Sequence, residues 1–351
     1  MESDDDDDFS GWGPCGPGVM MPGREVRSPS PPAEASGSAL PSKDPLLFCA
    51  ADSAPLFTPW WPSTVGPAVQ AAKAADSKKF AAAFLSASNY DKPEYFDIFV
   101  MAASALGFSA SDCHHVTSAN GRINVELVAT RSALVLLGGG DTCSGWDSFV
   151  EHGLVDAIRR AFAGGAALVG IAAGAIQLGT FGYAMRSVAS PFFMSADSGL
   201  PMSSPAPSSC PTPTYPTLGL APYARRPLFT RRRLDLSGSS MAAGDSRRYI
   251  FASQPIGEEA QHGWQDFRSA ISGLPKEGTI GIGLVDGSAV VVHTSDGTLE
   301  AYAAERARPP VVIVDGCDFA GPLPIGERVR LRRDSQGRVL TVPASMERAG
   351  L

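Results

Sequence analysis

Residues 168–179, LVGIAAGAIQLG, have the layout of a site for nucleophilic attack on a carbonyl. An apolar strand that runs into a turn of small residues and then into a helix is the arrangement of a nucleophile elbow. The residue at the tip of a working elbow is Ser or Cys, and the amide of the next residue helps to form an oxyanion hole. Here the tip is Ala172, whose methyl group cannot attack a carbonyl.

This motif resembles the elbow of the dipeptidase E and cyanophycinase family of serine peptidases. The family's elbow reads Gly-x-Ser-Ala-Gly-Ala on a class I glutamine amidotransferase-like fold. Residues 170–175 match every fixed position of that motif except the serine. Three further segments resemble the family in the right order: YDKPEYFDIFVMAASALGF, LLGGGDT and TIGIGLVDGSAVVV. The resemblance covers roughly residues 78–316 and is moderately specific, because several motifs agree in sequence order.

The resemblance also implies where the other site residues stand. The family's catalytic histidine lies in a short segment beyond the elbow, and the nearest counterpart here, PLF, puts Leu228 at its place. No histidine occurs between His152 and His262, and Asp197 is the only acidic candidate in the region of the third triad member. The resemblance implies that the former oxyanion and substrate pocket is lined by Gly139, Gly140, Asp141 and Ala173.

The loss of the serine nucleophile and of the histidine predicts a pseudo-peptidase that keeps its binding pocket. The protein resembles a serine-type exopeptidase, and no cofactor is expected. Removing the nucleophile or its general base from a serine hydrolase costs about a million-fold in rate, and the two losses overlap. One alternative is an active hydrolase of acidic or Asp-containing peptides with a relocated nucleophile. Cys143 is its candidate, because a thiol near a helix start has a lowered pKa. Another alternative is a structural or regulatory partner of an active paralogue.

An arginine cluster lies where family members bind substrate near the histidine. Within it, Arg226 and Arg231 are candidates for binding an anion, because the guanidinium fork suits carboxylates and phosphates. The simpler interpretation is a loop made soluble by its charge. The predicted partners are therefore a small peptide or acidic ligand, and a homo- or hetero-oligomer with a paralogue.

Composition excludes several other classes. The 351 residues carry a formal net charge of −7, whereas a nucleic-acid binder presents a basic surface. The six cysteines include no CxxC pair, and His114 and His115 lack further ligands at suitable spacing, so no metal site is predicted. The acidic start, MESDDDDD, is unlike a secretory signal, and we expect a cytoplasmic protein without a membrane span.

Alternating apolar strands and amphipathic helices predict an α/β fold of class I glutamine amidotransferase-like or flavodoxin-like type. A mainly parallel sheet would be flanked by helices on both faces and followed by a C-terminal β-ladder. One helix is expected to carry Trp146, Val150, Leu154, Ile158 and Phe162 on one face, with Ser144 and Asp147 as a capping box.

Composition shifts predict three regions along the chain. Residues 1–42 are acidic and then rich in Gly, Pro and Ser, so we expect them to be disordered. Residues 43–317 form one peptidase-like domain, interrupted by a Pro/Ser-rich insertion at 188–216. Residues 318–351 are a C-terminal extension that adds a hairpin or a tail.

Overall fold

Five parallel strands form the half of the main sheet that carries the elbow. The structure is a computed structural model that describes residues 45–183, 214–220, 248–254, 264–274, 279–294, 296–303, 311–315 and 318–347. The strands are nearly continuous apolar runs, which suits strands buried on both faces. They are β1 (Leu46–Ala50), β2 (Ala81–Leu85), β3 (Cys113–Val116), β4 (Ser132–Leu137) and β5 (Ala167–Ile171). Their order across the sheet is β1-β5-β4-β2-β3, so the elbow strand β5 has a parallel neighbour on each side.

Helices cover this part of the sheet on both faces. They are α1 (Trp60–Ala75), α2 (Pro93–Ser104), α3 (Thr142–Glu151), α4 (Leu154–Ala163) and α5 (Ala173–Leu178). Helices α1 and α2 pack on the face that presents Phe48 and Phe84. Helices α3, α4 and α5 pack on the opposite face, which presents Leu85 and Leu168. Alternate residues of each strand therefore fill two separate layers of core.

The remaining strands extend the main sheet and build a second one. They are β6 (Phe181–Tyr183), β7 (Thr214–Pro216), β8 (Arg248–Gln254), β9 (Thr279–Val285), β10 (Ser288–His293), β11 (Thr298–Ala303), β12 (Val311–Asp315), β13 (Asp318–Pro322), β14 (Arg328–Arg333) and β15 (Val339–Pro343). The full main sheet has the order β15-β14-β11-β10-β1-β5-β4-β2-β3, and its first four strands are antiparallel. Strands β13-β12-β9-β8 form the second sheet, and β6 pairs with β7.

The second sheet packs between the main sheet and one further helix. Ile280, Ile282 and Ile313 of the second sheet share a core with Val290 and Val292 of β10. Helix α6 (Gln265–Ser272) packs on the other side of the second sheet through Phe267, Ala270 and Ile271, and a short helix, α7 (Ala344–Glu347), follows β15.

The predicted fold class is confirmed: helices flank a mixed sheet that has a parallel half, and antiparallel strands follow toward the C-terminus. Two finer expectations are wrong. The single helix expected through Trp146 and Phe162 is two helices, because Gly153 adopts a left-handed φ of 72° between them. The capping box of Ser144 and Asp147 is also absent, because Asp141 caps α3 by accepting the Ser144 amide at 2.8 Å.

Several expectations fall on parts of the chain that the structure does not describe. These are the 1–42 tail, the 188–213 part of the insertion, Asp197, His262 and the region of the arginine cluster. The described part of the extension supplies β13, the β14–β15 hairpin and α7. Among the described helices, none combines the length and apolar character that crossing a bilayer requires.

Candidate functional site

Ala172 stands at the tip of a sharp turn between β5 and α5. Its backbone has φ 48° and ψ −108°, outside the regions that residues with a Cβ normally occupy. The Ala172 amide donates to the Ala50 carbonyl of β1 at 2.9 Å, and the Ala172 carbonyl accepts the Ile176 amide at 3.2 Å. These two bonds fix the tip between the end of β1 and the first turn of α5. The backbone is therefore that of a nucleophile elbow, with a methyl group in place of the nucleophile.

Close backbone contacts explain the small residues on both sides of the tip. A Cβ on Gly170 would lie 2.6 Å from the Ala175 nitrogen, so a larger residue would push α5 away from the sheet. A Cβ on Gly174 would overlap the carbonyl oxygen of Leu137, the last residue of β4. Helix α5 thus lies directly against the ends of β4 and β5, and only glycine allows this approach.

The loop after β4 borders the elbow. A Cβ on Gly139 would lie 3.2 Å from the Cβ of Ala172, which places this glycine beside the tip. Gly140 follows with φ 120°, and a Cβ there would overlap the Ser88 carbonyl oxygen. Within the described part of the chain, the amides of Gly139, Gly140 and Ala173 donate to no acceptor. These N–H groups are available to a carbonyl or carboxylate oxygen bound at the tip.

Asp141, also predicted to line the pocket, has a structural role at the rim of this loop. One carboxylate oxygen caps α3 through the Ser144 amide. Burial and then the nearby Asp141 carboxylate raise the pKa of Tyr90. The exposed ring of Tyr90 therefore forms a polar and aromatic rim beside Gly140.

A second loop, Ser86–Asp91, supports the first, and sequence reasoning did not identify it as part of the site. Its Ser88 carbonyl accepts the Asp141 amide at 2.6 Å. Its Ser88 hydroxyl accepts a hydrogen bond from Gln177 Nε2 of α5 at 3.1 Å, and the same Nε2 donates to the Thr142 carbonyl at 3.0 Å. The turn-forming residues Asn89 and Asp91 were the only signal of this loop in the sequence.

The described histidines all lie far from the elbow tip. His114 and His115 are on β3, three strands from β5, which is about 14 Å across a sheet. His152 follows the ten-residue helix α3, so it is about 15 Å from the start of that helix. His293 pairs with Leu46 at the opposite end of β1 from the elbow. None of these four side chains is placed to act as a general base at Ala172.

Three described side chains do match a hydrolase triad by type, away from the elbow. Ser86 lies within hydrogen-bond distance of both His115 and Asp91. Ser86 is completely buried, and its hydroxyl is 2.7 Å from the Asp91 carboxylate, which can only accept a hydrogen bond. The hydroxyl thus donates to Asp91 rather than to histidine and is closed to substrate. This cluster is not a displaced catalytic triad.

The other predicted site residues divide into described and undescribed positions. Cys143 lies in the first turn of α3, four residues after Gly139, and is half-buried. Leu228, Arg226 and Arg231 lie outside the described residues. Among the residues that are described, no group of three or more His, Cys, Asp or Glu side chains is placed to hold a metal ion.

The strained backbone of Ala172 predicts that glycine at this position increases the free energy of unfolding. We expect Ala172→Gly to stabilise the protein by about 1 kcal/mol, because a left-handed backbone costs a residue with a Cβ about 1–3 kcal/mol and glycine's extra chain entropy offsets part of the relief. Urea unfolding followed by circular dichroism measures the change. Ala68→Gly in α1 is the control and should cost about 1 kcal/mol. Equal destabilisation by both changes would show that the tip is unstrained.

Comparison with solved structures agrees with the observed architecture. A peptidase from an acI-B1 actinobacterium superposes with a TM-score of 0.51 at 15% identity, covering 82% of this chain and 97% of that one. A putative peptidase E protein from Listeria monocytogenes EGD-e aligns with a TM-score of 0.40 at 13% identity, covering 75% of this chain and 100% of that one. The first of these similarities supports the fold.

Sequence comparison matches part of the chain to a family model. No curated protein matches the sequence significantly. The model of Peptidase family S51 matches residues 71–192, about a third of the chain, and this stretch runs from the end of α1 through the elbow. The resemblance to the dipeptidase E and cyanophycinase peptidases is therefore confirmed, and the chain is a peptidase-like protein whose residues 71–192 match Peptidase family S51.

Proposed function

We propose that this chain is a non-catalytic peptidase-like protein that binds a small peptide or an acidic ligand at the elbow. The observation that carries the proposal is the backbone of Ala172, which has the elbow conformation but ends in a methyl group. A strained backbone of this kind costs about 1–3 kcal/mol and is found mostly at functional sites. The strain at Ala172 therefore favours a turn that positions a ligand, because a turn that only connected a strand to a helix would have no need of a strained residue.

The chemistry of the site favours an oxygen of the ligand as the group held at the tip. The free amides of Gly139 and Ala173 border the methyl group, and Gly140 adds a third donor in the same loop. Donors of this kind bind a carbonyl or carboxylate oxygen without assistance from a nucleophile. A ligand carbon seated there would contact the Ala172 methyl group and remain unreacted. Anion binding by Arg226 and Arg231 is part of this proposal.

Restoring the missing hydroxyl should not restore turnover. We expect Ala172→Ser to hydrolyse Asp-containing dipeptides no faster than the unmodified protein, because the four described histidines are about 13 Å or more from the tip. Absence of the base costs about a million-fold in rate. Release of free aspartate, followed by mass spectrometry, measures this, together with labelling by a fluorophosphonate.

Measurements of dipeptide binding and of dipeptide turnover together distinguish the proposed binding site from an active hydrolase. Calorimetric binding of an Asp-containing dipeptide to the unmodified protein, weakened by Gly139→Val, would support the proposed site, because the larger side chain would fill the space beside the tip. Turnover by Ala172→Ser would instead place a histidine from outside the described residues at the elbow. Turnover by the unmodified protein that Gly139→Val abolishes would refute the proposal outright.

A second candidate function is a hydrolase that uses Cys143. The observation in its favour is the position of this residue in the first turn of α3, where the helix dipole stabilises a thiolate. Iodoacetamide should then label Cys143 selectively and abolish dipeptide turnover. Labelling without any loss of turnover would remove this candidate.

The proposal also covers the oligomeric state of the protein and its location in the cell. We propose a homo-oligomer, or a hetero-oligomer with an active paralogue, located in the cytoplasm. Among the described residues, Cys49, Cys113 and Cys143 form no disulfide with one another, which agrees with a reducing compartment. Sedimentation of the purified protein, alone and mixed with a paralogue, tests the oligomeric state.

A further inference from the structure

Ser86, Asp91 and His115 form a hydrogen-bonded relay at the carboxyl end of β2. His115 Nε2 is 2.8 Å from the Ser86 hydroxyl, which is 2.7 Å from Asp91 Oδ1. Asp91 Oδ2 accepts the Ser118 amide at 2.9 Å, so both carboxylate oxygens are engaged. The His115 ring stacks on Phe96 with centroids 4.8 Å apart and an angle of 5° between the planes. These hydrogen bonds and the ring stack therefore hold all three side chains of the relay in place.

The protons of the relay can be assigned from its acceptors. Apart from His115, the neighbours of the Ser86 hydroxyl are the Asp91 carboxylate and the Val116 carbonyl at 3.2 Å, and both can only accept. The one serine proton goes to the closer, charged oxygen of Asp91, so His115 must donate its Nε2–H to Ser86. Burial lowers the pKa of His115, with Asp91 and Asp97 opposing the shift, so a neutral ring protonated at Nε2 agrees with this direction.

The relay spans a strained loop. Tyr90 and Asp91 are consecutive residues with φ of 59°, a left-handed conformation that each would avoid in isolation. Each costs about 1–3 kcal/mol and persists only where the surrounding structure imposes the conformation. The Asn89 and Asp91 amides both donate to the Ser86 carbonyl, at 2.8 and 3.3 Å, which closes the loop on Ser86. The side-chain bond from Ser86 to Asp91 then holds the strained end in place.

This loop contacts both halves of the elbow site. The Ser88 carbonyl holds the Asp141 amide, which follows Gly139 and Gly140 in the first loop. The Ser88 hydroxyl holds Gln177, five residues after the tip on α5. A displacement of Ser88 would therefore move the donors on both sides of Ala172.

We infer that Ser86, Asp91 and His115 are positioning residues for the elbow, which hold Ser88 so that the free amides at Gly139 and Ala173 stay oriented toward the tip. This inference deepens the proposed function and rests on the elbow being the binding site. None of the three side chains needs to touch a ligand. His115 acts through Ser86, Ser86 acts through Asp91 and the loop, and the loop acts through Ser88.

A thiol placed at the tip reports the orientation of these donors without any ligand. In Ala172→Cys, the amides at Gly139 and Ala173 should stabilise the thiolate and lower its pKa below the ordinary value of about 8.5. Adding His115→Phe keeps the aromatic stack but removes the N–H donor. We expect this addition to slow alkylation of the introduced thiol by iodoacetamide about tenfold at neutral pH, since one pKa unit changes the thiolate fraction about tenfold. Peptide mass spectrometry across a pH series measures the rate and the thiol pKa.

Conservative variants separate positioning from general damage to the fold. His115→Gln restores an N–H donor near Ser86 and should return the rate to within about twofold of Ala172→Cys alone. Ser111→Ala, which removes an exposed hydroxyl near β3, should leave the rate unchanged. If His115→Phe fails to fold, Ser86→Ala takes its place, read by hydrogen exchange of the 138–145 amides. An unchanged rate or unchanged exchange in a folded relay variant would overturn the inference, whereas failure of dipeptide binding would overturn only the proposed function.

Discussion

Replacing Gly174 with alanine is expected to destabilise the protein by at least about 3 kcal/mol. The new Cβ would overlap the Leu137 carbonyl oxygen and lie 2.7 Å from the Leu137 carbonyl carbon. Leu137 cannot move away, because β4 is hydrogen-bonded to β2 on one side and to β5 on the other. Overpacking against fixed backbone costs about 1–3 kcal/mol or more, and total stability is only about 5–15 kcal/mol. The free energy of urea unfolding measures the loss.

Gly66→Ala is the matched control, since Gly66 also lies in a helix. A Cβ there would meet only the Leu106 side chain at 4.0 Å, an ordinary contact. Alanine at this position should change stability by less than about 1 kcal/mol, because its higher helix propensity is offset by the restriction that Pro67 places on the residue before it. Equal effects of the two substitutions would show that α5 can move away from the sheet. The elbow would then be a flexible turn, and its strained tip would need another explanation.

The elbow was the most predictable part of the molecule, because its constraint is local. A sharp turn from a strand into a helix tolerates only small residues, and the glycines and alanines of 170–175 display that requirement directly. The apolar runs at residues 80–85, 133–137 and 166–171, each of five or six residues, likewise identified β2, β4 and β5. The class of the fold followed from the alternation of such runs with amphipathic helices.

Features that depend on distant contacts were missed or misassigned. The two left-handed residues of the Ser86–Asp91 loop are tyrosine and aspartate, and nothing in these types demands that conformation. His115 and Ser86 meet although 29 residues separate them. Strand β1 and helix α1 were also missed, and Pro67 inside α1 disguises its helical pattern.

The division between α3 and α4 shows a different limit. Apolar residues keep the four-residue interval from Trp146 to Phe162 across the break, so periodicity alone predicts one helix. Gly153 interrupts the backbone without disturbing the interval, because its left-handed φ redirects the chain in one residue. The periodicity therefore identified the buried face of α4, which carries Leu154, Ile158 and Phe162. It was wrong for α3, where Val150 is 58% exposed and Phe149 is buried instead.

The second large effect is expected at Arg333, which joins the two sheets. Its guanidinium on β14 forms two bonds of 2.7 Å with the Asp315 carboxylate of β12 and one of 2.6 Å with the Gly337 carbonyl. The side chains of Arg333 and Asp315 are only 30% and 25% exposed. We expect Arg333→Met to cost about 2–3 kcal/mol, because hydrogen bonds to charged groups are strong and the Asp315 carboxylate would lose its cation.

Arg338→Met provides the comparison for this ion pair and tests how the C-terminal hairpin belongs to the fold. Arg338 pairs with Asp334 within the same hairpin and is 69% exposed, so its loss should cost less than about 1 kcal/mol. Arg333→Lys should recover only part of the lost stability, since an ammonium cannot make the two-pronged contact. Urea unfolding of all three variants, repeated with Asp315→Asn as a double-mutant cycle, isolates the pair. A coupling below about 0.5 kcal/mol would mean that the Arg333–Asp315 pair adds little to the link between the two sheets, whereas strong coupling would make this pair a substantial part of the link between β14 and β12.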